Sequence, residues 1–153
     1  PGGESTTQGH LLRDEGMLEP LKARIEDGMP VLATCAGLIL LAKRIVEGDP
    51  AGSAHGRTPR FERHLATLDV TVERNAYGRQ LASFHANGEF AGLGEVPMSF
   101  IRAPRIVEAG DAIEPLARID GTVVAVREGA QIACAFHPEL DGDTRIHELF
   151  LGM

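Results

Sequence analysis

The chain has 153 residues, 43% of them hydrophobic and 24% charged, with a formal net charge of −7. That length suits one domain with a real core, and the acidic balance lacks the basic patch a general nucleic-acid binder needs. Two cysteines make no disulfide framework, and neither a signal-peptide pattern nor a long apolar span appears, so the expected setting is a reducing cytoplasm with no nucleic acid and no membrane as partner.

Residues 1–6 are loop material. Gly2-Gly3 lets backbone N–H groups approach a substrate oxygen closely, and it serves equally well as a turn before a helix capped by Ser5 or Thr6. Residues 8–27 read as an amphipathic helix or helix pair whose apolar face is Leu11, Leu12, Met17, Leu18, Leu21 and Ile25, a face meant for the core. After a Gly28-x-Pro30 break, 30–34 reads as a short buried strand. A tight turn at Cys35 follows, then a Leu/Ile/Ala helix reaching Ala42, with Lys43 and Arg44 as C-terminal cations.

A cysteine at such a turn meets unpaired helix N–H groups. They lower a thiol's pKa and offer donors to an oxyanion. Ala33, Ala36 and Gly37 are small, as a strained nucleophile elbow requires. The same position equally suits a buried structural cysteine.

Residues 47–63, polar and rich in Gly, Pro and charge, read as a mobile surface loop. His55 and His64, with Arg57, Arg60 and Arg63, make a solvated surface there, and no metal site is expected. Residues 65–72 return to strand character and lead into Arg74, which either clamps a carboxylate or forms an ion pair with an acid. Residues 96–107 form a further strand region with Arg102 as its polar anchor. Residues 116–119 and 122–127 make a hairpin around Asp120-Gly121.

Residues 131–137 form an apolar strand ending in His137-Pro138-Glu139. A histidine there projects from a rigid element into the crevice beyond a sheet, and Glu139 stands close enough to fix its tautomer. Cys134, inside that strand, is an inert buried thiol, and 144–151 closes the chain as a helix with Ile146, Leu149 and Phe150 inward and a structural His147.

Ala33-Thr34-Cys35-Ala36-Gly37 together with Phe136-His137-Pro138-Glu139 resembles the triad-type (class I) glutamine amidotransferases. Four further stretches narrow the likeness: Pro1-Gly2-Gly3-Glu4-Ser5-Thr6, Arg74-Asn75-Ala76-Tyr77-Gly78-Arg79-Gln80, Phe100-Ile101-Arg102-Ala103-Pro104 and Arg145-Ile146-His147-Glu148. Across nearly the whole chain the sequence is similar to the glutaminase subunits of pyridoxal 5'-phosphate synthase.

The resemblance implies a catalytic triad of Cys35, His137 and Glu139, and an oxyanion hole from the Gly3 and Ala36 N–H groups. Glutamine contacts would come from Gly3, Glu4, Ser5, Arg74, Ile101 and Arg102, with Arg74 on the α-carboxylate. It also implies hydrolysis of L-glutamine and delivery of ammonia to a synthase subunit, with no cofactor bound by this chain, because pyridoxal 5'-phosphate is the product of the complex.

The expected fold is a three-layer α/β sandwich, with a mostly parallel sheet and an antiparallel extension, in a single domain spanning 1–153. In the family the loop at 1–6 follows a strand–helix–strand unit of roughly 30 or more residues. The sequence opens without it: either it is a piece of a longer chain or, if the unit is truly missing, central sheet edges would be exposed. Three other readings stand beside the first: a glutaminase serving a different amidotransferase, a peptide-cleaving Cys-His enzyme, and an inactive remnant that only binds the synthase.

Overall fold

The computed structural model describes residues 1–47, 58–60, 64–74 and 83–153. Two helices open it, α1 (Ser5–Asp14) and α2 (Leu18–Glu26). Glu4, rather than Ser5 or Thr6, caps α1: its carboxylate accepts from the backbone N–H groups of Thr6 (3.2 Å) and Thr7 (2.8 Å). Ser5 is already inside the first turn and buried, so its short side chain is not available as a cap. Of the apolar face, Ile25 is buried and Leu12, Leu18 and Leu21 pack against the core. Leu11 and Met17 stay 55% and 53% exposed.

The strand–turn–helix around Cys35 forms as β1 (Val31–Thr34) and α3 (Ala36–Leu41), but α3 is shorter than its apolar run suggests. At Ala42 the backbone turns extended (φ −60°, ψ 131°) and enters β2 (Ala42–Glu47) directly. Lys43 and Arg44 are therefore strand residues and not C-terminal helix cations. Arg44 instead binds Asp69 Oδ1 (2.9 Å) and Thr71 Oγ1 (2.7 Å) on the next strand. The β-branched pair Ile45-Val46 suits a parallel ladder, and tertiary pairing decides where the helix ends.

Part of the expected loop at 47–63 is also ordered. Thr58–Arg60 forms β3, antiparallel to β2. Residues 48–57 and 61–63, with His55, Arg57 and Arg63, lie outside the described residues. His64 is not on a solvated surface: it is 5% exposed, seated against Gly9, where a Cβ would come within 2.0 Å of its Nδ1.

The remaining strands are β4 (Leu68–Arg74), β5 (Ser83–Phe90), β6 (Gly94–Ile101), β7 (Arg105–Ala109), β8 (Glu114–Ile119), β9 (Thr122–Glu128) and β10 (Gln131–Cys134). A 3-10 turn, Pro138–Leu140, and the helix α4 (Arg145–Leu151) follow. The asparagine-to-glutamine stretch at 75–80 lies outside the described residues. Six strands form one sheet in the order β1-β10-β9-β8-β5-β6, and four form a second, β3-β2-β4-β7.

The chain is α/β, and its sheets are mixed. Among the described residues parallel pairing is confined to β1–β10 and β2–β4, and every other pair is antiparallel, so the parallel part is smaller than expected. The strand region at 96–107 is two strands in different sheets. The chain crosses from β6 to β7 at Arg102-Ala103-Pro104, where Arg102 takes φ 46°.

Helix α3 is buried along its whole length, and Leu38 and Leu41 join Ile132 and Phe136 in a core that draws on both sheets. Phe100 stacks on Phe84 (4.4 Å between centroids) and tilts against Phe136 (5.6 Å), filling the space beneath the end of β10.

Candidate active site

β1 and β10 are parallel neighbours in register, Thr34 opposite Cys134. Cys35 follows one strand and His137 the other, so a short run past each C-terminal end brings a thiol and an imidazole to the same crevice. Cys35 N–H donates to Cys134 O (2.9 Å), tying the two exits together, and His137 N–H donates to Ser99 O on β6 (2.8 Å).

Cys35 has φ 50° and ψ −103°, a conformation an L-residue adopts only under constraint. It points the side chain out of the strand-to-helix turn, as an elbow nucleophile requires. The thiol donates a long hydrogen bond to Ile101 O (3.8 Å), and the Ala36 and Gly3 N–H groups both act on the sulfur in favour of its charged form. The thiol is nevertheless held above its ordinary value of 9.0, contrary to the lowering that a helix N-terminus suggests. Burial is the main cause and the Glu139 charge adds to it; the two N–H groups offset only part. A six-residue helix carries too little dipole to reverse that balance. At rest the sulfur carries its proton, so its use as a nucleophile needs a base.

His137 stands ready for that role. Its ring is 11% exposed, and Nδ1 lies 2.7 Å from Glu139 Oε1 across the first turn after the strand. With Nδ1–H donating to Glu139 Oε1, the Nε2 lone pair is left free to accept a proton. Gly2 packs on the ring: a Cβ there would stand 2.4 Å from His137 Cε1, so only glycine fits.

A cleft of about 300 Å³ is lined by Gly3, Glu4, Ser5, Cys35, Ala36, Arg74, Ile101, Arg102 and His137, with Ile39 and Pro104 completing the wall. Every sequence-nominated residue reaches this cleft except Glu139, which stands behind His137. Arg74 is already engaged, its Nη2 3.0 Å from Glu4 Oε1 and Nη1 3.1 Å from Thr6 Oγ1, so the ion pair is the contact this structure shows. Ser5 is 2% exposed, and its Oγ has no hydrogen-bond partner among the described residues. An unmet hydroxyl on a cleft wall is a position for a ligand's polar group.

Sequence reasoning missed two features. Ile39 and Pro104 carry no chemical signal, since apolar residues in apolar runs are read as core. The capping role of Glu4 was hidden because glutamate is seldom a helix cap. Cys134, fully buried, has its thiol pushed far up by desolvation, in keeping with an inert sulfur. Among the described residues no group of three or more His, Cys, Asp or Glu side chains is arranged to hold a metal ion, and no helix is long and apolar enough to cross a membrane.

Known proteins are similar to this chain over nearly its whole length. The pyridoxal 5'-phosphate synthase subunit PdxT of Desulfitobacterium hafniense is 55% identical over 151 residues, covering 99% of this chain and 70% of the relative. The protein of the same name from Streptococcus pneumoniae is 49% identical over 153 residues, covering 100% of this chain and 73% of the relative. A solved structure described as a glutamine amidotransferase superposes with a TM-score of 0.86 at 44% identity, covering 99% of this chain and 75% of that one. The model of the SNO glutamine amidotransferase family matches residues 1–153, and the chain belongs to that family.

Proposed function

We propose that this chain hydrolyses L-glutamine to L-glutamate and ammonia through a thioester on Cys35, and that the ammonia passes to a synthase subunit making pyridoxal 5'-phosphate. The observation that carries the reading is the grouping at one strand-end crevice. There Gly3, Cys35, Ala36 and His137 line one cleft, and Glu139 Oε1 stands 2.7 Å from His137 Nδ1. The names of relatives 49–55% identical to this chain support the pathway.

His137 takes the thiol proton, which the raised Cys35 pKa makes necessary, as sulfur attacks the side-chain amide carbon. The carbonyl oxygen becomes an oxyanion facing the Gly3 and Ala36 N–H groups; losing one such donor typically costs about 10²–10³ in rate. As the C–N bond breaks, His137 returns the proton to the leaving ammonia. Water then adds to the thioester with His137 again as base, and glutamate leaves as the Cys35 thiol re-forms. Glu4, Arg74 and Arg102 give the cleft both signs of charge, suited to a zwitterionic amino acid, and Ser5 and Ile101 complete the contacts. A free buried thiol fits a reducing compartment, the cytoplasm.

The test is release of ammonia and glutamate from glutamine, with and without the synthase subunit, for the wild type and Cys35→Ala. Release that depends on the synthase and vanishes in the variant is expected. No release from folded, synthase-bound wild type overturns the enzyme reading.

A further inference from the structure

The peptide unit between Gly2 and Gly3 has one end in the candidate oxyanion hole and the other on α1. Its N–H, on Gly3, belongs to the cleft that Cys35 lines and acts on the sulfur in favour of the thiolate. Its C=O, on Gly2, accepts a 2.7 Å hydrogen bond from Gln8 Nε2. A trans peptide is planar, with N–H and C=O pointing in opposite directions, so fixing one fixes the other.

That unit carries no side chain on either side, and the His137 ring packs against Gly2. The unit lies between two glycines, and Gly3 sits at φ 121°, where a side chain is strained; without a Cβ on either side the peptide turns over at small cost. A turned peptide would present a carbonyl oxygen to the sulfur and to any oxyanion beside it, replacing a donor with a repelling dipole. Gln8 opposes this. It stands on the rigid first turns of α1, its Nε2 lies 2.9 Å from where a Gly3 Cβ would be, and its Oε1 is buried with no partner among the described residues. That unmet oxygen indicates that the amide is committed to its Nε2 contact.

We infer that Gln8 is a positioning residue for the glutaminase reaction, holding the Gly2–Gly3 peptide with its N–H turned toward Cys35. It touches neither the sulfur nor the cleft and acts through the peptide. The inference rests on the proposed glutaminase reading for its kinetic consequence, while its structural consequence can be read on the thiol alone.

The experiment pairs two measurements on Gln8→Met, similar in volume and without a donor. Because an oxyanion donor acts in the transition state and not in ground-state binding, kcat for glutamine in the synthase complex should fall by roughly 10- to 100-fold while KM changes little. In the chain by itself, alkylation of Cys35 by a small uncharged reagent should require higher pH than in the wild type, since the thiolate loses the Gly3 N–H. A merely structural loss would lower the melting temperature without moving that profile.

An unmoved alkylation profile with unchanged kcat overturns the inference, as does a loss confined to KM. A moved profile in a wild type that hydrolyses no glutamine keeps the Gln8 linkage and removes the glutaminase reading. Should Gln8→Met fail to fold, Gln8→Glu at pH 8, of the same shape and with only acceptors, is judged by the same kcat and KM criteria.

Discussion

Cys35 combines a strained backbone with a desolvated side chain. Residues held in such regions cost about 1–3 kcal/mol, and the surrounding fold over-determines them. Here the constraint comes from both sides: Cys35 N–H is bound to Cys134 O at 2.9 Å, and Leu38 N–H returns to Cys35 O at 3.1 Å. Glycine relieves the strain and alanine does not. Cys35→Gly should therefore be more stable than Cys35→Ala by about 1 kcal/mol, although both lack the thiol. Paired denaturant titrations measure this, and an equal or lower stability for the glycine variant would show that the elbow carries no strain. The Cys35 turn was legible in the sequence because small residues flank a cysteine between a strand and a helix pattern. The direction of its pKa shift was not, because that depends on how far the fold buries the sulfur and on Glu139, which is distant in sequence.

At the scale of elements, Glu4 joins helix capping to the cleft. Its carboxylate accepts from Thr6 and Thr7 and pairs with Arg74, and the Thr7 N–H bond is the largest cause holding its pKa down from 4.5 to about 2. A carboxyl depressed in the folded state stabilises it fully above the unfolded value, and that contribution is lost as pH falls through the folded one. Glu4→Ala should thus cost about 1 kcal/mol near neutrality, and the difference should shrink between pH 4.5 and about 2. Since the side chain is 55% exposed, solvent screens the Arg74 pair and the capping bonds dominate. Chemical denaturation of both proteins across that range measures it; a difference that persists unchanged at pH 2 would contradict the capping account. Elements with strong local signals were readable, as with the hairpin β8–β9, whose turn has both central residues, Asp120 and Gly121, at positive φ. Strand β5 was not anticipated. Its Ser-Phe-His-Ala-Asn-Gly-Glu-Phe sequence has little strand preference, and it is extended because all eight residues pair with β6. The end of α3 at Leu41 was equally unreadable, since β4 draws Ala42 onward into a ladder.

Across the whole molecule, one face remains apolar. A groove of about 550 Å³ runs between α1, α2 and β1, bordered by Leu11, Met17, Leu21, Met29 and Val31. The outer edge of β1 pairs with no other strand among the described residues. The pairing of β1 with β10 also bears on how the chain is made. Thiol and imidazole follow neighbouring strands and line one cleft, yet lie 102 positions apart in sequence (137 − 35). At roughly 5–20 residues per second, a ribosome exposes Cys35 about 5–20 s before it supplies His137. Throughout that interval the sulfur has no base beside it, so the order of synthesis itself keeps the nascent chain unreactive until its last strand has docked.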